Sequence, residues 1–153
     1  MTASVNYHSH MSKFEFGGPE WTQALRSSMQ EAFYESGEEG KRATFSMSEQ
    51  YVGAPAHLLA AGGELGWHVR FNDGRVDFVF SPSRDVDVYI SADYQSILPL
   101  ARLEFGSDKE KLAERDRMVG ELVGSGQLVV EGDLGSRPGF LEGIHDAMAR
   151  VTA

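Results

Sequence analysis

The feature that most constrains this chain is a pair of alternating apolar runs on either side of an Asp-Gly pair. Apolar side chains occupy every second position from Trp67 to Phe71 and again from Val76 to Phe80. Between the runs stands Asn72-Asp73-Gly74, and an Asp-Gly pair there is typical of a tight hairpin turn. A period of two is that of a strand, not of a helix. The sequence therefore predicts a β-hairpin with one apolar face.

Three further stretches show the same period. They surround Phe45 and Met47, run from Val86 to Ile90, and run from Gln127 to Glu131. Five strands with one apolar and one polar face are typical of an antiparallel sheet that is wet on one side and covered by helices on the other. We therefore expect the polar face of the sheet to be solvated.

Helical spacing marks the layer that would cover the apolar face. Between Pro19 and Ser36, apolar residues recur at intervals of three and four, and Pro19 suits a first helical position. Further helices are predicted after Ser91, ending or kinking at Pro99, from a capping box at Ser107, and near Pro138. The predicted fold class is α+β: a five-stranded, mainly antiparallel sheet with helices packed on one face. We expect a flexible leader over residues 1–17 and a single domain over 18–153.

Composition excludes several classes of function. The chain has 153 residues, no Cys, and 14 Lys and Arg against 23 Asp and Glu, which gives a formal net charge of −9. That charge argues against nucleic acids and anionic membrane surfaces as partners. No apolar run has the length of a membrane span, so stable membrane insertion is not expected. The first ten residues do not resemble a secretory signal, so the cytoplasm is the expected location.

The sequence contains no recognisable motif for a metal, nucleotide or cofactor, and none is expected. The candidate chemistry lies in the stretch from Glu49 to Gly63, which is too apolar for a solvated loop and resembles a lid over a binding site. Tyr51 and His57 are its groups suited to proton transfer, with Glu49 as an added carboxylate, although Tyr51 would need a depressed pKa. Plain structural roles for Tyr51 and His57 remain the alternative, and a handle for a ligand's polar head is the functional interpretation.

At this point the order of motifs resembles a known family. Asp85-Val86-Asp87-Val88-Tyr89-Ile90-Ser91-Ala92-Asp93-Tyr94, then a helix, then Gly126-Gln127-Leu128-Val129-Val130-Glu131-Gly132-Asp133-Leu134 looks like the sterol carrier protein 2 family. The Trp67–Phe71 strand with its Asp-Gly turn is similar to that family's central hairpin. The resemblance implies an apolar tunnel between sheet and helices that binds lipids, usually without catalysis. The absence of a peroxisomal tail fits a bacterial setting.

The resemblance also implies which residues line the tunnel, carried over by element and facing. The sheet would contribute Phe45, Met47, Trp67, Val69, Phe71, Phe78 and Phe80, and the helices Ile97, Leu100, Leu103, Phe140 and Ile144.

Three functions follow as hypotheses. The first is binding or carriage of an apolar small molecule, such as a lipid, a fatty acyl group, a sterol or a terpenoid-like compound. The second is a cofactor-free acid/base isomerase, lyase or hydratase on the same scaffold, using Tyr51, His57 and Glu49. The third is a dimerising accessory subunit with the apolar segment 51–63 as its interface. The oligomeric state is left open as monomer or homodimer.

Overall fold

The computed structural model describes residues 13–59 and 62–153. Five α-helices, five strands and three short 3-10 turns make up the described part. The helices are α1 (Pro19–Glu35), α2 (Glu38–Arg42), α3 (Tyr94–Ala101), α4 (Lys109–Gly124) and α5 (Ile144–Val151). The strands are β1 (Phe45–Val52), β2 (Gly66–Asn72), β3 (Arg75–Val79), β4 (Val88–Asp93) and β5 (Leu128–Glu131). The 3-10 turns are Ala56–Leu58, Leu134–Ser136 and Gly139–Leu141.

The strands form one sheet in the order β3-β2-β1-β4-β5. All neighbours are antiparallel except β1 and β4, which run parallel in the centre. We call the face that carries Phe45 and Met47 the covered face, because those residues share a buried core with Leu25, Met29 and Phe33 of α1. The opposite side is the open face. The predicted α+β class, with its five mainly antiparallel strands, is confirmed.

The β2–β3 hairpin forms as its sequence predicts. Asp73 and Gly74 both have positive φ angles, 52° and 72°, which is the backbone of a type I′ turn. At the other end of β2, Gly66 pairs with Gln50, and a Cβ on Gly66 would collide with the carbonyl oxygen of Glu49. Only glycine permits so close an approach of β2 to β1 at that point.

The open face is not fully solvated, which corrects the expectation from sequence. The connection from β3 to β4, residues 80–87, crosses it. Ser83 N–H donates to Ser48 Oγ (3.0 Å), and the Asp87 carboxylate accepts from Ser46 N–H (2.8 Å). Ser46 and Ser48 are consequently buried, and the Arg84 guanidinium lies 4.4 Å from the ring centre of Tyr89. The connection shields these polar groups by satisfying their hydrogen bonds.

The predicted leader over 1–17 extends too far towards α1. Residues 1–12 lie outside the described part of the chain, but Phe14 bridges to Thr152 and Phe16 is buried against Trp21 and Tyr51. The fold therefore begins by residue 14, because the segment that precedes α1 pairs with the end of the chain.

Helix boundaries differ from prediction in three places. Asp108, not Ser107, is the N-cap of α4, and its carboxylate accepts from two backbone N–H groups. Pro99 lies inside α3, which continues to Ala101. The last helix begins at Ile144 instead of near Pro138, because the 3-10 turn Gly139–Leu141 occupies half of the intervening sequence. A 3-10 turn has about three residues per turn and an α-helix about 3.6, and this difference does not show over so short a stretch.

Candidate functional site

The site begins with an unexpected extension of β1. The stretch from Glu49 was expected to be a lid, but β1 continues to Val52, with Glu49 paired to Trp67 on one side and to Ile90 on the other. Because side chains alternate along a strand, Glu49 and Tyr51 lie on the covered face together with Phe45 and Met47. A carboxyl group is thereby placed on an otherwise apolar surface.

Three side chains on this face form a hydrogen-bonded relay. Trp67 Nε1–H donates to Tyr51 Oη (2.9 Å), and Tyr51 Oη–H donates to Glu49 Oε1 (2.6 Å). An indole N–H is a donor only, so the direction of the relay is fixed and ends at Glu49. Trp67 and Tyr51 are 2% and 3% exposed.

Burial dominates the electrostatics of the relay. It raises the pKa of Glu49 above its ordinary value near 4.5, while the hydrogen bond from Tyr51 offsets part of that rise. Burial also raises the pKa of Tyr51 well above 10, with the neighbouring Glu49 carboxylate as the next cause. The depressed pKa that acid/base work by Tyr51 would need near neutral pH is therefore not what this environment produces.

Exposure increases along the row that contains Glu49. Directly paired residues place Trp67, Glu49, Ile90 and Val130 side by side across four strands of the covered face. Trp67 is closed to solvent, Glu49 and Ile90 are partly accessible, and Val130 is 39% exposed. The apolar layer thus opens towards the β5 edge of the sheet.

The residues expected to line a tunnel fall into two groups. The first group is fully buried in the core: Phe45, Met47, Trp67, Val69 and Phe71. The second group keeps some exposure: Phe78, Phe80, Ile97, Leu100, Leu103, Phe140 and Ile144. Within the second group, Phe80 is 44% exposed and lies edge-on to Phe78 beyond the end of β3. Only the second group keeps surface that a ligand can reach without a rearrangement of the core.

At the far end of the sheet, aromatic rings fill the space between the layers. Phe71 stacks on Phe33 of α1 (5.5 Å between ring centres), and Phe140 lies edge-on to Phe71 (5.1 Å). Direct contact between sheet and helices closes this end. On α3, α4 and α5, the apolar residues Ile97, Val119 and Ile144 pack against the core and are only partly buried.

His57 does not join Glu49 and Tyr51, contrary to the hypothesis that the three act together. It lies on the 3-10 turn Ala56–Leu58, its side chain is 63% exposed, and its Nε2 contacts the Glu15 carboxylate at 2.9 Å. Of the rest of the predicted lid, Ala60 and Ala61 lie outside the described residues. The contact fastens the segment after β1 to the segment before α1, which is a surface role.

Other kinds of site find little support in the described ranges, 13–59 and 62–153. Within them no three His, Cys, Asp or Glu side chains are grouped to hold a metal ion. No helix there is long and apolar enough to cross a bilayer. Two open depressions lie along the outer side of α1, one near Tyr34 and the other near Gln23. Neither contains a residue of the relay.

Removal of the Tyr51 hydroxyl tests the relay. Tyr51→Phe leaves the buried Trp67 N–H without its acceptor and Glu49 without its donor, so we expect stability to fall by about 1–3 kcal/mol. Urea denaturation measures the change, with Tyr34→Phe, at a side chain 69% exposed, as the control. A loss no larger than that of the control would show that the hydroxyl does not support the two neighbours.

Of the three comparisons with known proteins, the one with solved structures found matches. No protein-family model matches the sequence, and no curated protein matches it. A crystal structure of sterol carrier protein 2 is similar over 90% of this chain and 100% of its own, with 14% identity and a TM-score of 0.50. A UbiJ-SCP2 ubiquinone synthesis protein is 19% identical over 89% of this chain and 96% of its own (TM-score 0.45). A solution structure of the sterol carrier protein domain 2 of Helicoverpa armigera is 11% identical over 97% of this chain and 95% of its own (TM-score 0.49). The likeness to the sterol carrier protein 2 crystal structure shows that the chain has a sterol carrier protein 2-like fold.

Proposed function

We propose that this protein binds and carries an apolar small molecule between the covered face of its sheet and helices α3, α4 and α5. The observation that carries the proposal is the row across the covered face, in which apolar side chains become progressively accessible around one polar relay. Apolar residues with a few fixed polar groups are the usual composition of a small-molecule site. The likeness in fold to sterol carrier protein 2 supports the same proposal.

Apolar contacts alone can supply the binding free energy of such a site. Each buried methylene contributes roughly 0.8 kcal/mol, so an aliphatic chain of moderate length offsets the cost of association. The relay supplies one polar anchor, which orients the molecule. The exposed position of His57 leaves the hypothesis of an enzyme built on Glu49, Tyr51 and His57 without a shared site.

Two adjacent valines of β5 provide the test. Val130 lies on the covered face at the open end of the row, while Val129 lies on the open face and is 44% exposed, a value close to Val130. We expect Val130→Asp to weaken binding of the neutral apolar dye Nile red by about tenfold or more, because a carboxylate must be desolvated at the entrance.

The matched variant Val129→Asp adds the same charge to the same strand on the other face, and we expect it to leave the dissociation constant within about twofold. Equal effects of the two substitutions, or no dye binding to the unmodified protein, would contradict the proposal. Native mass spectrometry of freshly purified protein adds an independent readout, in which a bound apolar compound is expected under gentle conditions and lost under denaturing ones.

A further inference from the structure

The two carboxyl oxygens of Glu49 differ in their surroundings, and this difference bears on the ligand's head group. The relay has a fixed direction, because Trp67 Nε1–H can only donate a hydrogen bond. Tyr51 Oη accepts it, and the Tyr51 hydroxyl donates a second hydrogen bond to Glu49 Oε1. Within residues 13–59 and 62–153, the hydrogen bond to Glu49 is made at Oε1, and Oε2 is not among the buried polar atoms that lack a partner, so Oε2 reaches accessible surface. One carboxyl oxygen is thus engaged by the protein and the other is left for something else.

Among the residues that the structure describes, no cation pairs with Glu49. Its neighbours in the row are Trp67 and Ile90. Nothing described there would compensate a second negative charge beside the carboxyl group. Burial raises the pKa of Glu49, which is the expected response of a carboxyl group without a nearby cation.

We infer that Glu49 Oε2 recognises the head group of the bound molecule and that this head group is an uncharged hydroxyl. The inference rests on the function proposed above and narrows the ligand to an apolar alcohol or phenol. A hydroxyl is both donor and acceptor, so it can bond to Glu49 whether the carboxyl group is ionised or protonated.

Other head groups fit the site less well. A carboxylate would place two acidic groups side by side, which one of them tolerates only by taking up a proton. An ammonium group has three protons to satisfy, and the site shows one available acceptor oxygen among apolar side chains. An ether or an ester accepts but does not donate, so it loses the bond whenever Glu49 is ionised.

Four probes that share one alkyl chain test the inference: dodecanol, dodecyl methyl ether, laurate and dodecylamine. At a pH of about 9, chosen to favour the ionised carboxylate, we expect dodecanol to displace Nile red with an affinity about tenfold or more above that of each of the other three. Glu49→Met, an apolar replacement of similar shape, is expected to bring dodecanol and its ether within about twofold of each other.

Two further variants separate the hydrogen bond from the charge. Glu49→Gln keeps its carbonyl oxygen towards Tyr51 and presents an amide N–H to the ligand, from which alcohol and ether both accept. It should therefore bring dodecanol and the ether within about twofold of each other while binding laurate more tightly than the wild type does. Glu35→Gln removes one exposed carboxylate on α1 and should change none of the ratios. If the wild-type protein binds dodecanol and its ether equally, or binds laurate or dodecylamine more tightly than dodecanol, the inference is overturned and the proposed function is left intact. Failure of all apolar probes to bind would overturn both.

Discussion

Phe71→Ala is expected to destabilise the protein by about 3–5 kcal/mol, the usual cost of deleting a fully buried aromatic ring. Phe71 is 1% exposed and is held between Phe33 of α1 and Phe140. Its removal opens a cavity where sheet and helices are in direct contact, and the rings on both sides lose a partner. The change is measured as the free energy of unfolding in urea.

Two further variants keep this prediction decisive. Phe80→Ala removes the same side chain just beyond the end of β3, but Phe80 is 44% exposed, so we expect a loss of about 1 kcal/mol or less. Phe71→Leu keeps most of the buried volume and serves if the alanine variant does not fold, with an expected loss of about 1.5 kcal/mol. A similar loss for Phe71→Ala and Phe80→Ala would show that the aromatic contacts do not close that end of the core.

Local chemistry explains the parts of the fold that the sequence predicts well. The β2–β3 hairpin follows from alternation on both sides of Asp73-Gly74, and α1 from its apolar stripe behind Pro19. In each case the residues that determine the structure are neighbours in sequence. The five strands and the helical layer above them can therefore be predicted from the sequence.

The parts that could not be predicted depend on contacts distant in sequence. Ser46 and Ser48 have the polarity of a solvated face, and only the return of residues 80–87 across the sheet buries them. Phe14 joins the fold because it meets Thr152 at the other end of the chain. Periodicity carries no information about such pairings.

The position of Glu49 is the most consequential of these cases. A carboxylate after Phe45 and Met47 is typical of the end of an apolar strand, which is why the sequence predicts a lid there. The alternation nevertheless continues through Glu49 to Tyr51, with the same period of two. An acidic residue at an apolar position within an unbroken alternation was the available signal. It indicates function because an uncharged acceptor would also satisfy the Tyr51 hydroxyl without the cost of burying a charge.

Glu49→Gln should therefore stabilise the protein near neutral pH. Burial raises the pKa of Glu49 in the folded state above its ordinary value near 4.5. Well below that value, both the folded and the unfolded protein carry a protonated Glu49, and the carboxyl group costs nothing extra. As the pH rises, the unfolded state ionises first, so the wild type loses stability until the folded state also ionises. Glutamine retains an acceptor for Tyr51 and carries no charge, so it escapes this loss.

The expected gain is roughly 1–3 kcal/mol at about pH 8, the usual cost of burying an incompletely paired polar group. It should shrink towards zero at about pH 4, because the protonated carboxyl group and the amide then differ little. Urea denaturation of both proteins at the two pH values gives this double difference, and Glu35→Gln, at an exposed position, should show no comparable pH-dependent gain. A variant less stable than the wild type at about pH 8 would mean that an ionised Glu49 is stabilised by its surroundings. The covered face would then hold a charge that its apolar row does not explain.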